Sequence, residues 1–358
     1  MAGFLAVAEE LLAIRSTADR PVDLARALDF TLAEAGPGCT VERFESNGKP
    51  SALVYRGVRR PRFRVVLNGH LDVVPGNDDQ FRPRLVGDRL YARGAQDMKL
   101  SALVMAQVFR EFAGSAAVGL QLVTDEEVGG RDGTRHQLEQ GVATDFVVIG
   151  EHSALRLVTE SKGLLTARLR VRGRGAHSAY QWLGENAVLK AVRAVDRMLA
   201  AYPVATEEAW RTTVNVARID SGSSAVNQVP AEATVWLDVR YPAEDTDFAD
   251  RTAEEVAAHL SGLAGVPVEV DGVEPPHRAD PASADVRALR AAARAQGYSG
   301  DPLRKHGAAD SRFYHQRGVD AVIFGVGGDG QHGPEEYADL TTVEPYRRAL
   351  TAYLAGLA

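Results

Sequence analysis

A chain of 358 residues, 45% hydrophobic and 25% charged, is long enough for two domains and a sizeable core. Its net charge of −7 excludes the basic surface of a general nucleic-acid binder, and no segment reaches the ~18 consecutive apolar residues of a membrane span. The single cysteine, Cys39, excludes an intrachain disulfide framework, and Met1–Phe4 lacks the basic start of a secretory leader, so a cytoplasmic location is expected.

Leu, Ala and Ile recur at helical spacing over 3–17 and 22–35, which predicts two packing helices ended by Gly36-Pro37-Gly38. Short strands are expected at 40–45 and 51–56. The run from Arg62 to Leu67 predicts a strand that leads into His70 and Asp72. Residues two apart share a strand face, so both can look onto one site. An Asp that accepts one imidazole N–H leaves the other nitrogen free for a metal. A satisfied strand-end histidine beside a turn aspartate is the alternative. Asp97 precedes a helix that runs to about Phe112, where an N-cap would sit. Its two oxygens could equally bridge two cations.

The apolar run Val118–Val123 predicts a buried strand ending in Asp125-Glu126-Glu127. Neighbouring buried carboxylates repel and lose hydration unless cations compensate them. Pointed apart, one glutamate can bind metal while the other serves as a base. A solvated acidic loop is the bland reading. A further strand over 145–149 ends in Gly150-Glu151. Three strand ends and one helix start thus place His, Asp or Glu, and ligands of open α/β sheets collect at the carboxyl ends of strands.

Near Ser161 the texture changes. A strand over 166–172, a helix at 185–201, strands at 212–219 and 232–240, a helix at 246–262 and a strand at 266–270 give the β-α-β-β-α-β order of a ferredoxin-like domain. Taken singly, its His177, Asn227 and Arg240 read as surface or structural residues. A helix at 282–297, a strand at 321–324 and a helix at 342–356 follow. The glycine-rich segment Gly325–Glu336 carries no phosphate-binding signature. It reads as a flexible loop that presents His332.

His70–Pro75 (HLDVVP), Arg93–Lys99 (RGAQDMK), Thr124–Gly130 (TDEEVGG), Gly150-Glu151 and the late His332 come in this order. With Gly173–Ser178 (GRGAHS), Asn227–Pro230 (NQVP) and Asp238–Arg240 (DVR), they resemble the M20 metallopeptidase family. That family includes acetylornithine deacetylases, succinyl-diaminopimelate desuccinylases, aminoacylases and glutamate carboxypeptidases. The resemblance implies an α/β fold: a mixed-sheet, zinc-peptidase-like catalytic domain over 1–160 and 273–358, and an inserted ferredoxin-like α+β lid over 161–272. Hinges are expected near Lys162-Gly163 and Gly272–Pro276, and the lid leaves room for a homodimer.

The resemblance also implies two Zn²⁺ ions, replaceable by Co²⁺ or Mn²⁺. His70 and Glu151 would hold one, Glu127 and His332 the other, with Asp97 bridging. Asp72 would orient His70, Glu126 would be the general base and His177 the lid histidine. Arg240, Asn227 and the Gly307-Ala308 segment would contact substrate. The carboxylates of Asp97, Glu127 and Glu151 bring three negative charges against the four positive charges of two divalent cations. The implied reaction is amide hydrolysis of an N-acyl amino acid. Carboxypeptidase or dipeptidase action on short peptides is the alternative, and a non-catalytic metal-binding module the third reading. Leu100 and His152 stand where the family commonly has glycine and proline; neither replaces a ligand.

Overall fold

Strands that are buried on both faces read as continuous apolar runs, and four such runs build the centre of the first of two units. The computed structural model describes residues 2–112, 114 and 117–357. Met1–Glu160, Arg278–Arg304 and Ala309–Ala358 make the first unit; Ser161–His277 and Lys305–Ala308 make the second.

The first unit's sheet is ordered Thr40–Ser46, Lys49–Tyr55, Val118–Val123, Val65–His70, Phe146–Ile149, Asp320–Ile323 and Leu157–Ser161. Neighbours among Val118–Val123, Val65–His70, Phe146–Ile149 and Asp320–Ile323 run parallel, and the flanking pairs run antiparallel. Side chains alternate between two cores. Val65 and Leu67 enter one with the helices Leu100–Glu111, Ala284–Ala295 and Val343–Ala355; Val66 enters the other. Leu103 and Val104 are fully buried there, each contributing about 1.5–3 kcal/mol of transfer free energy. The parallel direction brings the carboxyl ends of all four strands to one edge, where the acidic and histidine motifs follow.

The glycine-rich segment before Glu336, expected as a loop throughout, is a strand over Gly327–Asp329, and His332 lies in the turn that follows. Gly327–Asp329 pairs with Tyr337–Asp339, and two more short strands, Arg89–Tyr91 and Arg84–Val86, extend this into a separate sheet. Gly328 serves close approach: a Cβ there would run into the Tyr337 carbonyl.

The second unit has antiparallel strands ordered Thr213–Asp220, Glu232–Tyr241, Gly163–Arg172 and Val268–Glu274. Leu165, Ala167, Leu169 and Val171 face a core shared with the helices Ala187–Ala201 and Ala253–Ala264. The chain order β-α-β-β-α-β, with the first strand between the third and fourth, is the ferredoxin-like arrangement. The last strand runs past residue 272, pairing Glu274 with Leu164, which carries this unit to His277. Lys162 N–H donates to the Lys305 carbonyl at 3.3 Å, which ties residues 305–308 to it. The helix expected from 246 begins at Ala253, because Thr252 and Glu255 form a reciprocal capping box there.

Candidate active site

His70 closes its strand at 2% exposure. Its Nδ1 lies 3.0 Å from the Asp72 carbonyl oxygen and 3.5 Å from the Asp72 carboxylate, and its Nε2 lies 3.0 Å from Asp97 Oδ1. The contact that fixes the ring is therefore made first by the Asp72 backbone. The Asp72 carboxylate has a second task. It accepts the backbone N–H groups of Glu126, at 3.2 Å, and Glu127, at 3.0 Å. One residue thus aligns the histidine strand with the glutamate turn.

Asp97 does not cap the helix that follows. Leu100–Glu111 has Lys99 at its N-cap with no side-chain bond, and Leu100 is buried in the core. The Asp97 carboxylate instead turns into the site. Oδ2 accepts Gln331 Nε2 at 2.5 Å and lies 3.4 Å from His332 Nε2. His332 Nε2 is also 3.1 Å from Glu127 Oε2.

Ligand atoms of His70, Asp97 and Glu151 lie within 4.8 Å of one another, and so do those of Asp97, Glu127 and His332. Asp97 belongs to both groups. Two imidazoles and three carboxylates make a donor set suited to divalent cations such as zinc. The charges say the same. Burial opposes ionisation of Asp97, yet His332 and His70 hold its carboxyl well below the usual range. Hydrogen bonds to Asp97 and Glu127 push His332 up to about 10. Burial lowers His70, but Asp72 and Asp97 outweigh it and raise the ring well above the ordinary value. Burial, then the charge of Glu151, raises the neighbouring Glu126 carboxyl well above its usual range.

Glu336 is a site residue that sequence reasoning missed. It is 2% exposed, accepts Arg93 Nη1 at 2.5 Å, and accepts the backbone N–H groups of Gln96 and Asp97 at 3.2 and 3.3 Å. Arg93 Nη2 also donates to the His332 carbonyl at 3.1 Å. The pair therefore holds the stretches that carry Asp97 and His332. The signal was an acid kept beside a glycine-rich segment, with Arg93 inside the Asp97 motif. Arg312 similarly donates to the Gly129 carbonyl at 2.7 Å, bracing the turn after Glu127.

The other expected site residues lie in the second unit. His177 is exposed, and its Nδ1 accepts the Ala179 N–H at 3.1 Å, which leaves Nε2 as the N–H donor. Its segment Ala176–His177 pairs with Gln228–Val229, and Ser178 N–H donates to the Asn227 carbonyl at 3.0 Å, so the two motifs form one patch. Arg240 is half-buried and already donates Nε and Nη2 to the Asp238 carboxylate at 2.7 and 2.9 Å. Gly307 is exposed.

Residues 66–356 match Peptidase family M20/M25/M40. The succinyl-diaminopimelate desuccinylase of Alkalilimnicola ehrlichii is 30% identical, with 99% of this chain and 100% of that protein covered. That of Cereibacter sphaeroides is 29% identical over 91% of this chain and 92% of its own length. The same fold occurs in a tripeptidase from Staphylococcus aureus, at TM-score 0.79 and 18% identity over 98% of this chain and 96% of that one. It occurs too in an M20 family metallo-carboxypeptidase from Sulfolobus solfataricus, at TM-score 0.79 and 18% identity over 99% of both. With this match over most of its length and a relative of full extent, the chain belongs to peptidase family M20/M25/M40, metal-dependent hydrolases of amide bonds.

Proposed function

We propose that the chain is a two-metal amidohydrolase that removes an acyl group, succinyl foremost, from the nitrogen of a small amino acid. The observation that carries this reading is Asp97, whose carboxylate serves two ligand groups at once. His70, Asp97 and Glu151 would hold one divalent cation, and Asp97, Glu127 and His332 the other. Cations bound there polarise an amide carbonyl and acidify a water. The desuccinylase names of relatives at 29–30% identity support the acyl group.

Glu126 is the general base in this reading. Its backbone is fixed by Asp72, and its carboxylate accepts the proton of the attacking water. The same oxygen returns that proton to the departing nitrogen, which leaves as an amine. His177 supplies its Nε2–H to the oxyanion, in the tautomer set by Ala179. Arg240 binds a substrate carboxylate through the N–H groups that Asp238 leaves over, with Asn227 and Gly307 lining the substrate. A homodimer through the second unit and a cytoplasmic location belong to the same proposal.

The test is amide hydrolysis by zinc-loaded protein on N-succinyl, N-acetyl and N-formyl amino acids beside dipeptides. Turnover led by an N-succinyl substrate is expected. Preference for dipeptides would move the chain to peptide cleavage with the same site, and silence with two metals bound would overturn the acyl reading.

A further inference from the structure

The second unit carries a basic groove of about 890 Å³. Arg170 and Arg172 reach it from the first strand, Lys190, Arg193 and Arg197 from the helix Ala187–Ala201. Two carboxylates, Glu232 and Glu269, also line it. Five cations against two anions leave a surplus in a chain whose net charge is −7. Like charges gathered in one concavity repel, and their cost is recovered only when an anion enters.

The cations are held in place without being fully neutralised. Arg197 Nε donates to the Ala264 carbonyl at 3.0 Å, and a dipole is not a counter-charge. Its guanidinium lies against Gly265, where a Cβ would stand 2.9 Å from Nη2, and that residue has φ +65°. The helix end has thus left space for the arginine. Lys190 Nζ donates to the Arg172 carbonyl at 3.3 Å and also pairs with Glu185 at the exposed rim. Arg170 is paired inside, with Glu269 at 3.1 Å. Arg172 and Arg193 are exposed.

The backbone adds a donor. Arg170 N–H bonds to the Pro267 carbonyl on the side of the last strand, while Gly173 N–H bonds to Ala231 on the other. Alternation therefore turns the Arg172 N–H toward the same side as Arg170. The neighbouring strand begins only at Val268, opposite Leu169, so its ladder has ended before Arg172. An open strand-edge N–H beside several guanidinium groups is an arrangement for oxyanions.

We propose that this groove binds a small anion carrying two or more phosphate groups. Its volume is that of a metabolite pocket rather than of a single ion. Tetrahedral oxyanions can accept bonds from the edge N–H and from the guanidinium groups that line the groove. The site is independent of the metal ligands, none of which lines it.

Isothermal titration of the metal-loaded protein with inorganic pyrophosphate tests this, at ionic strength held constant with sodium chloride. The double variant Arg172→Gln/Arg193→Gln is titrated in parallel, so that pyrophosphate taken up by bound metal appears equally in both. The variant should lose one binding event, with at least tenfold weaker affinity, while keeping its amide hydrolysis and far-UV circular dichroism. Arg172→Lys/Arg193→Lys should keep most of that binding. Equal titrations for the unchanged protein and the Gln variant would overturn the proposal. So would succinate binding the groove as tightly as pyrophosphate, since a carboxylate site would then be at hand.

Discussion

Both oxygens of Asp97 are held by neighbours: Oδ1 lies 3.0 Å from His70 Nε2, and Oδ2 accepts Gln331 Nε2 at 2.5 Å. Glu336 and Arg93 form a buried ion pair whose acid also grips the Asp97 backbone. Replacing Glu336 by Gln leaves the Arg93 charge buried without its partner, so urea unfolding should show a loss of about 3 kcal/mol. Zinc affinity, read by competition with a chelating dye, should fall about 10–100-fold, as when second-layer partners of metal ligands are removed. Glu126→Gln should do the opposite. Metal content by atomic absorption should stay at the wild-type level while kcat falls by about 10²–10⁴-fold. Equal loss of metal in both variants would contradict the separation of ligand and base. His70, Asp97, Glu127, Glu151 and His332 were singled out in the sequence through the order of their motifs and the family these resemble. Glu336 was not, since its importance comes from a contact across more than 200 positions of chain.

At the scale of elements, legibility followed the length of the apolar run. Val118–Val123 and Phe146–Ile149 are buried throughout and could be read directly. The strands Arg84–Val86 and Gly327–Asp329 are three residues each, and neither has an apolar period to betray it. They gain strand geometry from tertiary pairing, which no local pattern encodes. Helix starts were also blurred where the cap lay inside a polar stretch. Thr252 accepts the Glu255 N–H at 3.2 Å and Glu255 answers at 2.8 Å, and this reciprocal pair sets the start of Ala253–Ala264. Thr252→Ala should lower stability by about 1 kcal/mol in thermal or urea unfolding. Thr252→Ser should recover most of that loss.

For the molecule as a whole, three strand ends and one helix start that carry His, Asp or Glu were read from the sequence, as was a change of texture near Ser161. The place where the insert closes needed the structure. Ala279 N–H donates to the Thr159 carbonyl at 2.8 Å, so the chain comes back to the first unit beside the strand from which it left. Both residues belong to that unit. A segment whose two ends are neighbours can be exchanged for a short turn at little closure entropy. Deleting 161–277 in favour of a few glycines and serines should therefore give a soluble protein that still binds metal, with cooperative unfolding, but turns over no amide. Failure of this variant to fold would mean that the first unit depends on the second for its stability. Success would mean that metal capture and substrate selection are separable inheritances: one strand-end scaffold could accept a different insert, and with it a different diet, while leaving its chemistry untouched.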